Sequence, residues 1–421
     1  MKGLVKLLAI TALAGMALSV FSMPALAEDK KIDYGAFEED DPRNISAAAI
    51  LAKMEAAEFT GSTGTLKYRI YKSPAYKTKA EDTPALMLVF LHGSGGKGDD
   101  NELQIKDQVT MVNYMVSDLG DTLFADIPFV VIAPQCPVET QWAKSSYSTG
   151  SYSIDDIEIS NPMQLVYELV VDMQKTEGIT TDNTVIGGIS MGGYGTWDLG
   201  LRHPEICGGL IPMCGGGDPT KASLIKDKRI WAFHGDKDTA VPVSASRDMD
   251  AALKEAGATN YKYTEMAGVT HNVWSPAMTE VKDPYLLQWL FEGITYSVTT
   301  ELEGEGDVTK SVNGVKRGET VKIVLEPADG YTYGKVYLDG KEINPVVPQD
   351  GVAYVELKDI NKNYTVKAVF DKLPEESSED PAPVEPPKKG LSKGALLGII
   401  GGAVALVGAA AAVIISKKKK K

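Results

Sequence analysis

Gly188-Ile189-Ser190-Met191-Gly192 sets one serine between two glycines, each two residues away. A serine presented at a sharp strand-to-helix turn must adopt a strained backbone, and β-carbons at the flanking positions would collide with that turn. The surroundings fit: residues 184–188 read as a buried strand, and residues 192–202 read as the start of a helix through Trp197 and Leu201. A serine hydroxyl is a poor nucleophile at neutral pH, so acyl-transfer chemistry needs a base within hydrogen-bond reach and a carboxylate to orient that base. The chain has only four histidines. His92 and His234 each precede Gly at a strand end, and His203 precedes Pro204 at a helix end. His271, in Gly268-Val269-Thr270-His271-Asn272 after a strand at 261–265, alone follows the acidic candidates in chain order and is the expected base.

The acid is offered by His234-Gly235-Asp236-Lys237-Asp238-Thr239-Ala240-Val241-Pro242, which carries two carboxylates after a strand at 230–233. This stretch resembles the HGxxDxxVP segment of many α/β-hydrolases, where the Asp three residues before Val is catalytic. The resemblance selects Asp238 and leaves Asp236 as a turn residue, a choice that geometry decides. A tetrahedral intermediate also needs two N–H donors for its oxyanion. Met191 supplies one by position, and Ser94 in the turn His92-Gly93-Ser94-Gly95-Gly96 is favoured for the other. That turn lacks the spacing of a phosphate loop. Asp99-Asp100 and Asp155-Asp156 are isolated pairs without the further ligands a hard cation needs, so no metal or cofactor is expected.

The elements that must position these residues alternate. Apolar strands at 87–91, 129–133, 185–189, 210–213 and 230–233 are separated by helical stretches, including 162–175 before the serine and a closing amphipathic helix at 285–291. Continuous apolar strands of this kind imply a mostly parallel sheet covered on both faces, an α/β architecture over residues 60–293. Upstream, 28–59 holds an acidic stretch and a short helix expected over 46–58. Ser- and Tyr-rich 145–153 reads as a loop that shapes specificity.

After residue 293 the texture changes to short alternating strands at 320–325, 353–357 and 364–370, with turn signals at Asn313-Gly314, Asp329-Gly330, Asp339-Gly340 and Asp350-Gly351. This is an all-β module over 294–372, and it resembles the β-repeat modules of bacterial surface proteins. A Pro- and Glu-rich linker at 373–393 follows.

Composition and the two ends bear on compartment. A net charge of -14 gives no electrostatic reason to expect nucleic acid as a partner. Cys136, Cys207 and Cys214 match no metal-ligand spacing and are read as small buried hydrophobes. Lys2 and Lys6, an apolar run and Ala25-Leu26-Ala27 read as a secretory signal over 1–27. Residues 394–415 carry no charge and, at about 1.5 Å per residue, match the ~30 Å core of a bilayer. With the basic tail 416–421, they read as a single transmembrane helix that leaves the catalytic part outside, on a Gram-positive bacterial surface. Leu373-Pro374-Glu375-Glu376-Ser377 lacks the Thr-Gly of a wall-sorting motif, which favours a retained membrane anchor.

Taken together, Leu91-His92-Gly93-Ser94-Gly95-Gly96 with Asp100-Asn101, Ala133-Pro134-Gln135-Cys136-Pro137, the serine turn, the HGDKD segment, and His271 with Trp274 resemble secreted α/β-hydrolase esterases. That group spans polyhydroxyalkanoate depolymerases, feruloyl and acetyl carbohydrate esterases, and prolyl-oligopeptidase-like peptidases. The resemblance implies Ser190, Asp238 and His271 as a catalytic triad, Trp142 and Trp274 beside the substrate, and a small or polymeric ester, such as a cell-wall or plant polysaccharide ester, as substrate. A serine peptidase is the nearest alternative, against which stands the absence from this sequence of a gating β-propeller. A non-catalytic adhesin would be expected to lack a triad member, and none is missing.

Overall fold

The computed structural model describes Tyr34 and residues 45–80, 83–107, 110–147, 150–349 and 351–374. The strands β1 (Glu55–Gly61), β2 (Gly64–Lys72), β3 (Leu86–Leu91), β4 (Phe129–Pro134), β5 (Thr184–Ile189), β6 (Gly209–Met213), β7 (Arg229–Gly235) and β8 (Tyr261–Met266) form one eight-stranded sheet. Their spatial order is β1-β2-β4-β3-β5-β6-β7-β8. β1 and β2 make an antiparallel hairpin, β2 lies antiparallel to β4, and every later pairing is parallel. The expected doubly covered, mostly parallel sheet is therefore present.

Helices α1 (Ala47–Lys53), α2 (Pro74–Thr78), α3 (Leu103–Lys106), α4 (Thr110–Val116), α5 (Asp118–Leu123), α6 (Asn161–Glu177), α7 (Met191–Arg202), α8 (Ser244–Glu255), α9 (Trp274–Thr279) and α10 (Leu286–Phe291) cover the sheet. Alternate residues of each central strand feed opposite cores. Met87, Val89, Ile186 and Leu210 pack with Leu169 of α6, Trp197 of α7 and Leu253 of α8, whereas Leu88, Phe90, Ile211 and Phe233 pack with Met111 of α4, Ala277 of α9 and Leu290 of α10. Every residue of β3 is buried, which is why that strand reads as an unbroken apolar run; each such side chain contributes about 1.5–3 kcal/mol. α6 begins where Ser160 accepts from the Met163 N–H and Pro162 fixes the first turn, and it ends at Gly178, whose φ of 66° suits the left-handed C-terminal position.

Two local expectations are corrected. The helix expected over 46–58 stops at Lys53; Met54 turns extended, and Glu55–Gly61 becomes the edge strand β1, with Gly64 at φ 135° closing the hairpin to β2. The Asn313-Gly314 signal marks no hairpin. Gly314, at φ 74°, instead sits inside a strand, where the register shifts between Val312 and Val315 as a β-bulge.

Beyond α10 the described residues form strands: β9 (Thr295–Glu303), β10 (Gly306–Val308), β11 (Val312–Lys316), β12 (Val321–Pro327), β13 (Tyr331–Leu338), β14 (Lys341–Ile343), β15 (Ala353–Leu357) and β16 (Tyr364–Lys372). They make a five-stranded sheet, β11-β9-β16-β13-β14, and a three-stranded sheet, β10-β12-β15. The core runs from Phe291 through Ile294, Tyr296 and Val298 into this part without a break. Buried Asn183 clamps the junction, accepting from the Thr295 N–H at 2.8 Å and donating to the Thr295 carbonyl at 3.0 Å. Asn183 precedes β5 and Ser190 follows it, so the all-β part joins the hydrolase core about 20 Å along the strand from the serine.

Among the described residues, no helix is long and apolar enough to cross a membrane. The expected signal over 1–27, the linker beyond Pro374, the membrane helix over 394–415 and the tail 416–421 lie outside the described residues.

Candidate active site

Ser190 stands at the turn from β5 into α7 with φ 54° and ψ -116°, a strained conformation for a residue with a side chain. Its N–H donates to Met213 O at 2.9 Å, which ties the turn to β6. The glycines are required by contact. A β-carbon at Gly188 would lie 2.4 Å from Gly192 O, and one at Gly192 would lie 1.9 Å from Leu91 O.

The loops after β7 and β8 bring base and acid to this serine. Lys237 N–H donates to Val269 O at 2.9 Å, and Asp236 Oδ1 accepts the Gly268 N–H at 2.6 Å, which zips the two loops together. Asp236 is thus a turn residue. His271 Nε2 lies 2.8 Å from Ser190 Oγ, and His271 Nδ1 lies 2.7 Å from Asp238 Oδ2. Asp238 Oδ1 accepts from the N–H groups of Ala240 at 2.8 Å and Val241 at 2.9 Å. Burial alone would raise the Asp238 carboxyl, but hydrogen bonds from His234, His271, Val241 and Ala240 hold it well below the usual carboxylate range. The carboxylate stays charged and keeps the Nδ1 hydrogen of His271 facing it, leaving Nε2 to take a proton from Ser190.

The two residues expected to donate to the oxyanion each stand at a helical start. Met191 is the first residue of α7, and Ser94 opens the short 3-10 turn Ser94–Gly96, so the N–H groups of both lack an intrahelical acceptor. His92 pins that turn from within: fully buried, it donates from Nδ1 to Gly93 O at 2.5 Å and accepts the Cys136 N–H on Nε2 at 2.9 Å. Burial, with help from Lys97 and against the bond to Gly93, pushes its pKa down to about 4, so it is neutral when it does so. Sequence reading left His92 without a role, because its partners lie at the ring's two ends on separate loops. The Asp107 carboxylate packs on the same turn, where a β-carbon at Gly95 would lie 2.4 Å from its Oδ2.

The two tryptophans part company. Trp142, expected beside the substrate, is wholly buried: its Nε1 donates to His92 O at 3.1 Å and its ring meets the His92 ring edge-on at 5.2 Å. It buttresses the oxyanion turn from behind instead of lining an open pocket, because the segment carrying it folds beneath α7 against Gly195. Trp274 does stand at the site, its ring perpendicular to that of His271 at 5.7 Å. Residues 145–147 and 150–157 are held against α7. Tyr194 Oη donates to Gly150 O at 3.1 Å, Tyr152 Oη donates to buried Asp198 at 3.0 Å, and Arg202 closes on the other Asp198 oxygen at 3.0 Å. All three cysteines are free and buried.

The arrangement can deprotonate a serine, hold it at a strained turn and offer N–H donors to an oxyanion, which is what acyl transfer requires. The model of the phospholipase/carboxylesterase family matches residues 77–285. Carboxylesterase SOBER1 of Arabidopsis thaliana is 27% identical over 230 residues, which cover 51% of this chain and 94% of that protein. A crystal structure of a thermostable esterase is similar with a TM-score of 0.50 and 30% identity, over 58% of this chain and 64% of that one, so the chain spans less than two thirds of that structure. The chain is therefore a serine hydrolase, and its residues 77–285 are similar to the phospholipase/carboxylesterase family.

Proposed function

We propose that the protein is a membrane-anchored carboxylic ester hydrolase of the extracytoplasmic face, acting on acylated carbohydrate or related esters through an acyl-enzyme on Ser190. The 2.8 Å contact between Ser190 Oγ and His271 Nε2 carries this reading. In the first half-reaction the Ser190 proton passes to His271 Nε2 as Oγ attacks the acyl carbonyl, and the N–H groups of Met191 and Ser94 receive the oxyanion. Collapse expels the alcohol, which takes the proton from His271. Water then repeats the sequence, with His271 as base, and releases the acid.

The apolar run 394–415 with its basic tail, together with the signal-like 1–27, supports the anchored location. The sequence resemblance to feruloyl and acetyl esterases supports the carbohydrate ester. The all-β part is read as a spacer that carries the hydrolase away from the membrane. A depression on its surface lined by Glu301, Glu303, Lys335, Lys367 and Asp371 has both of its lysines paired within the protein, Lys367 to Glu303 at 2.8 Å and Lys335 to Glu342 at 2.9 Å.

The test uses the full chain against p-nitrophenyl acetate, a methyl ferulate, an acetylated xylo-oligosaccharide and a proline peptide anilide. Turnover of the esters, with the carbohydrate ester preferred by kcat/KM, is expected. Cleavage of the anilide alone would make the enzyme a peptidase and overturn the proposal.

A further inference from the structure

One buried imidazole remains once the triad and oxyanion turn are built. His234, at the end of β7, exposes no side-chain surface, and its Nε2 lies 3.2 Å from Asp238 Oδ2, the oxygen that also faces His271 Nδ1. The same Nε2 lies 3.2 Å from Val241 O. Both neighbours are acceptors, so Nε2 carries a hydrogen. At the other end of the ring, Nδ1 lies 2.7 Å from Ser246 Oγ, which in turn donates to Gly215 O at 3.1 Å. Ser246 therefore anchors the Nδ1 end of the ring. The His234 ring is thus held at both ends, with its Nε2 hydrogen facing Asp238 Oδ2 and Val241 O.

We propose that His234 is a positioning residue of the triad: it fixes Asp238 Oδ2 for His271 and withdraws charge from that carboxylate, so setting the basicity of His271. The inference rests on the triad reading above and adds to it a second imidazole on the same oxygen. A carboxylate with donors on both oxygens cannot swing away from His271, and each added donor lowers its power to stabilise a neighbouring imidazolium.

The other ionisable groups around the pair are accounted for. Cys214 at the end of β6 and Tyr194 of α7 face Asp238, and burial pushes the pKa of both groups up, so neither carries charge at neutral pH. Glu265 lies opposite His234 in the β7–β8 register but is engaged by Arg247 of α8 at 2.6 and 2.8 Å and by Tyr263 at 3.0 Å. Asp236 accepts from Gly268 at 2.6 Å and sits 3.8 Å from Lys237. Asp238 is left as the anion His234 serves.

The sign of the effect follows. Ester cleavage needs a free lone pair on His271 Nε2, so kcat/KM falls on the acid side of its pH profile. Removing the His234 donor returns charge to Asp238, stabilises the His271 imidazolium and moves that acid limb to higher pH.

The measurement is the pH profile of p-nitrophenyl acetate turnover by the full chain, with His234→Phe, which fills the space without a donor, His234→Gln, whose amide nitrogen can reach the Nε2 position, and Ser246→Ala. For His234→Phe a fall in kcat of about 10- to 100-fold at little-changed KM is expected, with the acid limb raised by roughly half to one pH unit. His234→Gln should recover most of both. Ser246→Ala should shift the limb in the same direction by less, and it decides the matter if His234→Phe does not fold. A packing role gives the opposite: His234→Phe close to wild type, His234→Gln worse, and the limb unmoved in Ser246→Ala, any of which overturns the proposal. Ser190→Ala serves as control; if it is inactive while His234→Phe behaves as wild type, this inference alone fails, and if it stays active the triad reading fails with it.

Discussion

Asp238 and Asp236 are two residues apart in one loop and differ in what they touch. Asp238 meets His271 at 2.7 Å, whereas Asp236 meets the Gly268 N–H at 2.6 Å. Asp238→Asn is expected to lower kcat by about 10³- to 10⁴-fold, because an amide facing Nδ1 favours the wrong tautomer of His271. Asp236→Asn should leave kcat near wild type, and steady-state kinetics of the pair check the assignment. The depressed Asp238 carboxyl also contributes stability that is present above the unfolded carboxylate pKa and lost as pH falls through the folded value. Thermal melts of Asp238→Asn and wild type should therefore differ at neutral pH and converge in strong acid. Ser190, His271 and their acid were legible in the sequence because a strained serine turn, a single well-placed histidine and an Asp three residues before Val are local patterns. His234 was visible only as a histidine before glycine, since the Asp238 oxygen it shares with His271 and the Ser246 hydroxyl beyond it are gathered only when the loop and α8 fold back over β7.

Elements position what the residues supply. The oxyanion turn is held by a relay from Trp142 Nε1 to His92 O, and from the His92 ring to Gly93 O and the Cys136 N–H. Trp142→Phe keeps most of the buried ring but removes the Nε1 bond, at a cost of about 0.5–1.5 kcal/mol in stability. Its kcat should fall with KM nearly unchanged, because the turn serves the transition state more than the bound ester. A kcat equal to wild type would mean the turn holds itself. The sequence disclosed the strand–turn–helix order here, since burial makes β3, β4 and β5 continuous apolar runs. It did not disclose which side of the turn Trp142 occupies, because a tryptophan in an irregular segment carries no periodicity to assign its face. The same lack of tertiary information hid β1, an edge strand whose Ala- and Glu-containing stretch reads as helix until it pairs with β2.

At the scale of the whole molecule, the hydrolase and the all-β part share one core, and the junction lies at the end of the sheet away from Ser190. Asn183→Ala removes the paired bonds to Thr295 and is expected to destabilise the protein by about 1–3 kcal/mol in denaturant titration, with kcat unchanged. Composition announced the change to β structure after residue 293, yet the shared core through Ile294 and Tyr296 was not legible, because those residues look like ordinary strand residues until packed on Phe291. A chain ending at Gly293 would expose that surface, so enzymology belongs to a chain that retains the β part. The central claim, that Ser190 is the nucleophile of an acyl-transfer site, is tested most directly by intact-mass and peptide analysis of the full chain after reaction with a fluorophosphonate ester. A single adduct on Ser190 is expected, formed far more slowly in His271→Ala and absent in Ser190→Ala; an adduct on another residue, or undiminished ester turnover in Ser190→Ala, would contradict it.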